Sequence, residues 1–161
     1  MLADDHVSMR RSLRLLLDGE AGIDVVAEAG DLSTVVRHVH GHTPHVLVLD
    51  LRMPGGSSIE TIRHLREQMP DTEIVALTME QSPGFAQRAL AAGAVGFVLK
   101  DRAATELPAA VRCAALGEEY VSSHVAAGLD ALRGTVGRER LRRRQATTPH
   151  RHLCEASPER R

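Results

Sequence analysis

Five side chains in this sequence could handle a phosphoryl group if the fold brought them together: the carboxylates of Asp4, Asp5 and Asp50, the hydroxyl of Thr78 and the ammonium of Lys100. Each follows a short apolar run: Leu2–Ala3 before the acidic pair, Val46–Leu49 before Asp50, Ile74–Leu77 before Thr78 and Phe97–Leu99 before Lys100. Clustered carboxylates repel, and a hard divalent cation relieves that repulsion; Mg2+ takes oxygen ligands and keeps several waters, which suits a shallow acidic pocket. A metal beside a carboxylate lets that carboxylate attack an anionic phosphoryl group, because the transferring charge is neutralised. Lys100 adds a second positive charge and Thr78 a donor for a phosphoryl oxygen. Taken singly, Asp50 is a turn residue, Thr78 a strand-end hydroxyl, Lys100 a surface charge and Phe97 a core side chain. Their common place after apolar runs makes them a set.

The elements that must position them alternate. Val-, Ile- and Leu-rich runs at Ile23–Ala27, Val46–Leu49, Ile74–Leu77 and Gly96–Leu99 read as strands. Between them, Met9, Leu13, Leu16 and Leu17 recur at helical spacing, as do Ile59, Ile62, Leu65 and Met69, and Leu107, Val111 and Ala114. Asp31, Ser57 or Ser58, and Ser82 before Pro83 are helix-start candidates, and Gly19, Gly41, Gly93 and Gly117 stand where helices should stop. Strand–helix alternation means parallel strands joined by right-handed crossovers, and near-continuous apolar strands mean a sheet covered on both faces. The expectation is a doubly wound α/β domain over residues 1–118, a linker with a short helix near Val121–Leu132 over 119–136, and a basic, disordered tail over 137–161. In such sheets ligands bind at the carboxyl ends of the strands, where all five polar residues fall.

The ordered set Ala3-Asp4-Asp5-His6, Leu49-Asp50-Leu51-Arg52-Met53-Pro54-Gly55, Leu77-Thr78 and Ala92-Gly93-Ala94-Val95-Gly96-Phe97-Val98-Leu99-Lys100 resembles the receiver domain of two-component response regulators, most closely those of NarL/LuxR-type transcription factors. The resemblance covers about Met1–Tyr120. It implies a flavodoxin-like five-stranded parallel sheet of order 2-1-3-4-5. It also implies a phosphorylation switch rather than a turnover enzyme, with autodephosphorylation as its only reaction beyond phosphoryl acceptance. Asp50 would accept a phosphoryl group from a histidine kinase. Asp5 would bind Mg2+ directly, Asp4 largely through water, with Asp50 and the backbone carbonyl of Arg52 completing the ligands. Lys100 would pair with Asp50 or its phosphoryl group, Thr78 would move toward a phosphoryl oxygen, and Phe97 would turn inward after it. Arg52, Met79 and Glu80 occupy positions that tune hydrolysis. The partners implied are a histidine kinase and a second copy or a related regulator; the location is the cytoplasm.

Three features depart from that pattern. Only three residues precede Asp4, so the first strand is short, and a start upstream is the expectation. Gly56-Ser57-Ser58 stands where relatives usually have Met-Asp-Gly, placing serine where a positive φ is common. Beyond Arg133 no recognition helix is legible, and a frameshift or early stop in a DNA-binding domain would account for it.

Composition limits the remaining readings. The chain has 161 residues, 43% hydrophobic and 25% charged, with two cysteines. No apolar run approaches a membrane span, no secretory leader is recognisable, and two cysteines make no disulfide framework. A secreted mini-protein, a membrane protein and a collagen-like chain are therefore excluded. The formal charge of −1 hides an acidic body and a basic end with eight arginines after residue 136. Those arginines could hold DNA phosphates weakly and without base readout, which makes an atypical DNA-binding regulator one rival reading. A Mg2+-dependent phosphohydrolase and a stand-alone dimerisation or inhibitory module are the others. His38, His40, His42 and His45 read as a solvated loop, His150, His152 and Cys154 as a tail without a metal scaffold, and Cys113 as a small buried side chain.

Overall fold

In the computed structural model, which describes residues 1–146 with side chains through Gly134, the apolar runs form one parallel sheet. In chain order the elements are β1 (Leu2–Ala3), α1 (Val7–Asp18), β2 (Glu28–Ala29), α2 (Leu32–His42), β3 (Val46–Asp50), α3 (Ser58–Gln68), β4 (Glu73–Thr78), α4 (Pro83–Ala92), β5 (Gly96–Leu99), a 3-10 turn (Lys100–Arg102), α5 (Ala103–Ala115), β6 (Tyr120–Val121) and α6 (Ser123–Ala146). The strand order is β2-β1-β3-β4-β5-β6. This is the doubly wound, flavodoxin-like fold, with one strand more than the five expected. Tyr120 and Val121 add β6 to the free edge of β5, with Gly96 opposite Tyr120 and Phe97 opposite Val121.

The strands alternate between two cores, which is why they read as continuously apolar. Leu47, Leu49, Ile74 and Ala76 face α2, α3 and α4, whereas Val46, Val48, Val75 and Leu77 face α1 and α5. Each helix contributes the spaced positions expected of it: Leu13 and Leu17 on α1, Ile59, Ile62 and Leu65 on α3, Leu107, Val111 and Ala114 on α5. Cys113 is only partly buried.

Four local readings are corrected. Ile23–Ala27 is not a strand; β2 is confined to Glu28–Ala29, because β1 offers only Leu2 and Ala3 to pair with. Gly41 does not stop α2. The helix runs on to His42, and Thr43 takes the left-handed cap at φ 42° while its N–H bonds the Val39 carbonyl. His38 and His42 therefore share a helix face and meet edge to face at 5.6 Å, but no third ligand-type residue completes a metal set with them among the described residues. After Asp50, Gly55 and Gly56 carry the positive φ angles (102° and 135°), so neither Ser57 nor Ser58 is strained. Ser57 is the cap of α3, accepting from the Glu60 N–H. Ser58 is buried and instead donates to the Asp50 carbonyl.

Within the stretch read as a linker, β6 pairs with the sheet and the first turns of α6 pack against α4. Ser122 is fully buried, accepts from the Leu99 N–H at 3.0 Å and donates to Glu106. Val125 and Leu129 of α6 are buried, and Gly128 sits so close to Pro83 at the start of α4 that a Cβ would meet its ring at 2.5 Å. α6 continues to Ala146, past the end of the short helix expected there. His150, His152 and Cys154 lie outside the described residues. No helix among the described residues is long and apolar enough to cross a membrane.

Candidate functional site

Parallel strands bring their carboxyl ends to one edge, and at that edge β1, β3 and β5 deliver Asp4, Asp50 and Lys100 to one point. Lys100 Nζ lies 2.7 Å from Asp4 Oδ2 and 2.7 Å from Asp50 Oδ2. The Asp4, Asp50 and Lys100 side chains are 0%, 2% and 7% exposed, so this three-member cluster is effectively out of water. Burial pulls the Lys100 ammonium down, but the Asp4 and Asp50 carboxylates outweigh it and hold its pKa above the usual lysine value. The cluster carries two negative charges against one positive, and Asp5 is beside it.

The carboxylates are held by main-chain donors. His6 N–H bonds Asp4 Oδ1 at 2.8 Å, and Arg52 N–H bonds Asp50 Oδ1 at 2.9 Å. Both are bonds to the backbone two residues on, which fix the carboxylate in the turn that ends each strand. Ser58 braces Asp50 from the other side through its carbonyl. Arg10, one helical turn into α1, donates to the Asp4 carbonyl and pairs with Glu28 at 3.3 Å, tying the β1 turn to β2.

Asp4, Asp5, His6 and Asp50 each offer a ligand atom, all within 4.8 Å of one another. Asp4 Oδ2 is met by the Lys100 ammonium at 2.7 Å and Asp5 Oδ1 by the His6 imidazole at 3.0 Å. Three carboxylates beside one ammonium still leave the set short of positive charge, and a hard cation is the partner that fits an oxygen-rich set. The residues present therefore suit a divalent cation of the Mg2+ kind.

Thr78 ends β4, paired with Leu99, one residue past the Leu77 that pairs with Asp50. It is fully buried, and its Oγ1 accepts from the Glu80 N–H at 3.1 Å, which leaves its own proton to donate. Phe97 is fully buried in the core that includes Ala86, Ala89 and Val125. Glu80 reaches across to Arg52 at 3.5 Å in an exposed pair, and Met79 is 62% exposed beside it.

Of the residues read as a phosphoryl site, Asp4, Asp5, Asp50, Arg52, Thr78, Met79, Glu80 and Lys100 lie at or next to this edge, and Phe97 lies in the core on β5. The supporting residues His6, Arg10 and Ser58 were not singled out for it. His6 had a signal, adjacency to the acidic pair at a strand end. Arg10 and Ser58 had none, because their partners are main-chain carbonyls that no pattern announces.

Comparison with known proteins places the chain in one family. Residues 1–112 match the family model of the response regulator receiver domain. The chain is 39% identical over 139 residues to the DNA-binding transcriptional activator DevR/DosR of Mycobacterium tuberculosis, covering 86% of this chain and 64% of that protein. It is 36% identical over 125 residues to the nitrate/nitrite response regulator protein NarP of Escherichia coli, covering 78% of this chain and 58% of that protein. The chain thus spans about three fifths of the length of these curated relatives. Among solved structures, a LuxR-family two-component response regulator from Aurantimonas superposes with a TM-score of 0.78 at 36% identity, covering 83% of this chain and 95% of that one.

Proposed function

Because this chain belongs to the response regulator receiver-domain family, with NarL/LuxR-type regulators as relatives, we propose that it is a cytoplasmic phosphorylation switch that takes a phosphoryl group onto Asp50 from a histidine kinase. The observation that carries this reading is the Lys100 ammonium held 2.7 Å from both Asp4 and Asp50 at the open edge of the sheet. An Asp50 oxygen forms the new O–P bond as the N–P bond of a donor phosphohistidine breaks, and the imidazole leaves with a proton from solvent. Lys100 then shifts its ion pair to a phosphoryl oxygen, and the Thr78 hydroxyl donates to another. Asp4, Asp5, Asp50 and the Arg52 carbonyl would hold Mg2+, which would supply neutralisation of the entering phosphoryl charge. Motion of Thr78 pulls on the loop to α4, and with it on the contact between Pro83 and Gly128 and on buried Phe97. The partner on the output side is a second copy or a related regulator; DNA meets this chain only through its arginine-rich end, weakly and without sequence preference.

The test is intact mass after incubation with Mg2+ and acetyl phosphate. One phosphoryl group should appear on the wild-type chain and none on Asp50→Ala. A folded wild-type chain that gains none would defeat the proposal.

The rim of the site sets how long the phosphoryl group persists. The exposed Arg52–Glu80 pair bridges the turns that follow Asp50 and Thr78, and in this reading it and the neighbouring Met79 thioether hinder the approach of an attacking water. An Arg52→Ala, Glu80→Ala double variant should therefore lose its phosphoryl group several-fold faster than wild type, followed by mass after acetyl phosphate is removed. A longer half-life in the variant contradicts this role.

A further inference from the structure

β5 ends where the phosphoryl site begins, and its last backbone donor is held by a side chain. β6 pairs with β5 through Val121, and Ser122 extends that contact by donating its N–H to the Phe97 carbonyl at 2.9 Å. The chain then turns into α6. The Leu99 N–H is taken by the Ser122 hydroxyl, at 3.0 Å. The hydroxyl proton goes to the Glu106 carboxylate on α5. The Ser122 carbonyl accepts from the Val125 and Ala126 N–H groups, the first bonds of α6. A serine at the head of a helix ordinarily turns its oxygen onto the first N–H groups of that helix. This one, fully buried, serves β5 and α5 instead. Lys100 follows Leu99 directly. Arg102, two residues further on, lies 2.8 Å from the His124 imidazole in the first turn of α6. The start of α6 therefore holds the chain on both sides of Lys100.

We propose that Ser122 is a positioning residue for the phosphoryl site: its hydroxyl fixes the Leu99–Lys100 end of β5 against α5 and α6, so that the reactivity of Asp50 and the seating of α6 depend on each other. This rests on the reading of Asp50 as the phosphoryl acceptor and adds how that site is braced and sensed. Lys100 Nζ stands 2.7 Å from both Asp4 and Asp50 on a side chain only 7% exposed, so a shift of the strand end lengthens one ion pair or the other. Misplacement of a reacting constellation by about 1 Å can cost on the order of 100-fold in rate. Coupling between two sites is mutual at equilibrium, so a phosphoryl group that draws Lys100 toward it also pulls on the Leu99 bond to Ser122. A hydroxyl released from Leu99 has the first N–H groups of its own helix to turn to, which exchanges the bond instead of losing it. The change then reaches α4, because Val125 and Leu129 are buried and Gly128 sits against Pro83.

The test uses the full chain with Mg2+ and acetyl phosphate, read by intact mass and by amide hydrogen exchange. Ser122→Ala and Glu106→Ala should take up the phosphoryl group about three- to tenfold more slowly than wild type. Glu106→Gln keeps an acceptor for the hydroxyl and should stay within about twofold of wild type. Val39→Ala, a truncation in the core beneath α2, should also stay within about twofold, which separates positioning from loss of stability. In wild type the phosphoryl group should change exchange of the Val125–Leu129 amides by about threefold or more, and Ser122→Ala should lose that response even once phosphorylated. Uptake by folded Ser122→Ala at the wild-type rate overturns the proposal. So does Glu106→Gln or Val39→Ala as slow as Ser122→Ala, or exchange in α6 that ignores the phosphoryl group in wild type. If Ser122→Ala does not fold, the two Glu106 variants decide, and equal uptake by both overturns it. Any of these failures on a wild type that does gain its phosphoryl group leaves the Asp50 reading standing; a folded wild type that gains none defeats both.

Discussion

Lys100→Met is expected to lower the free energy of unfolding by about 3–5 kcal/mol in Mg2+-free buffer, the cost of removing one member of a buried ion cluster. The aliphatic stem is kept, so the loss is electrostatic rather than a cavity. Without the ammonium, Asp4 and Asp50 face each other at 0% and 2% side-chain exposure, with Asp5 alongside. Two consequences separate this from a packing defect. Adding Asp50→Asn to Lys100→Met should restore much of the loss, giving a large coupling energy in a double-mutant cycle. Mg2+ should also recover part of it, because a cation that binds only the folded site stabilises by mass action. The sign of the pH dependence is fixed as well. The folded Lys100 pKa is raised, so its contribution is fully present below the unfolded lysine value and is lost only as pH rises through the folded one. The difference between wild type and variant should therefore be flat across the neutral range. Urea melts at several pH values with and without Mg2+ check all of this, and a variant as stable as wild type would remove Lys100 from the centre of the site.

Phe97→Ala should cost about 3–5 kcal/mol, at the upper end of aromatic truncation. Phe97 is fully buried, and the helical neighbours in its core include Ala86, Ala89 and Ala92 of α4. Alanines have no longer side chain to swing into a void, so the site cannot collapse, and the cavity term stays in full. Phe97→Leu should cost clearly less. The position also links β5 to β6 through its pairing with Val121, so the alanine variant should loosen the sheet edge and the start of α6 before the rest. Hydrogen exchange should show faster opening at Val121 and Val125 than at Val48. Uniform opening across the sheet would contradict this.

Much of the fold was legible because its physics is local. A strand covered on both faces must be apolar without interruption, and Val46–Asp50, Glu73–Thr78 and Gly96–Leu99 fell within a residue of their expected ends. Asp31 before α2 was readable as a cap, and it accepts from the Thr34 N–H at 2.8 Å. What failed depended on partners far along the chain. Ile23–Ala27 has the composition of a strand, yet a strand exists only where another strand pairs with it, and β1 offers two residues. Tyr120–Val121 lacks a strand signature but lies against the open edge of β5. Gly41 resembled a helix stop, while Thr43 accepted the left-handed cap because its N–H reaches the Val39 carbonyl and Pro44 follows.

The sequence by itself determined the chemistry of the site: three carboxylates, a hydroxyl and an ammonium, each placed after an apolar run, with an order that belongs to receiver domains. Residue type and position after a strand suffice for that, since parallel strands must end at one edge. Only the tertiary structure decided the distances and the surroundings. It set Lys100 between Asp4 and Asp50 instead of against one of them, brought the His6 imidazole to Asp5 Oδ1, and gave Ser58 to the Asp50 carbonyl and Ser57 to the helix cap. These depend on how strand ends far apart in sequence, such as those carrying Asp50 and Lys100, meet at one sheet edge, and that packing is settled by the sum of buried contacts, which no local pattern encodes.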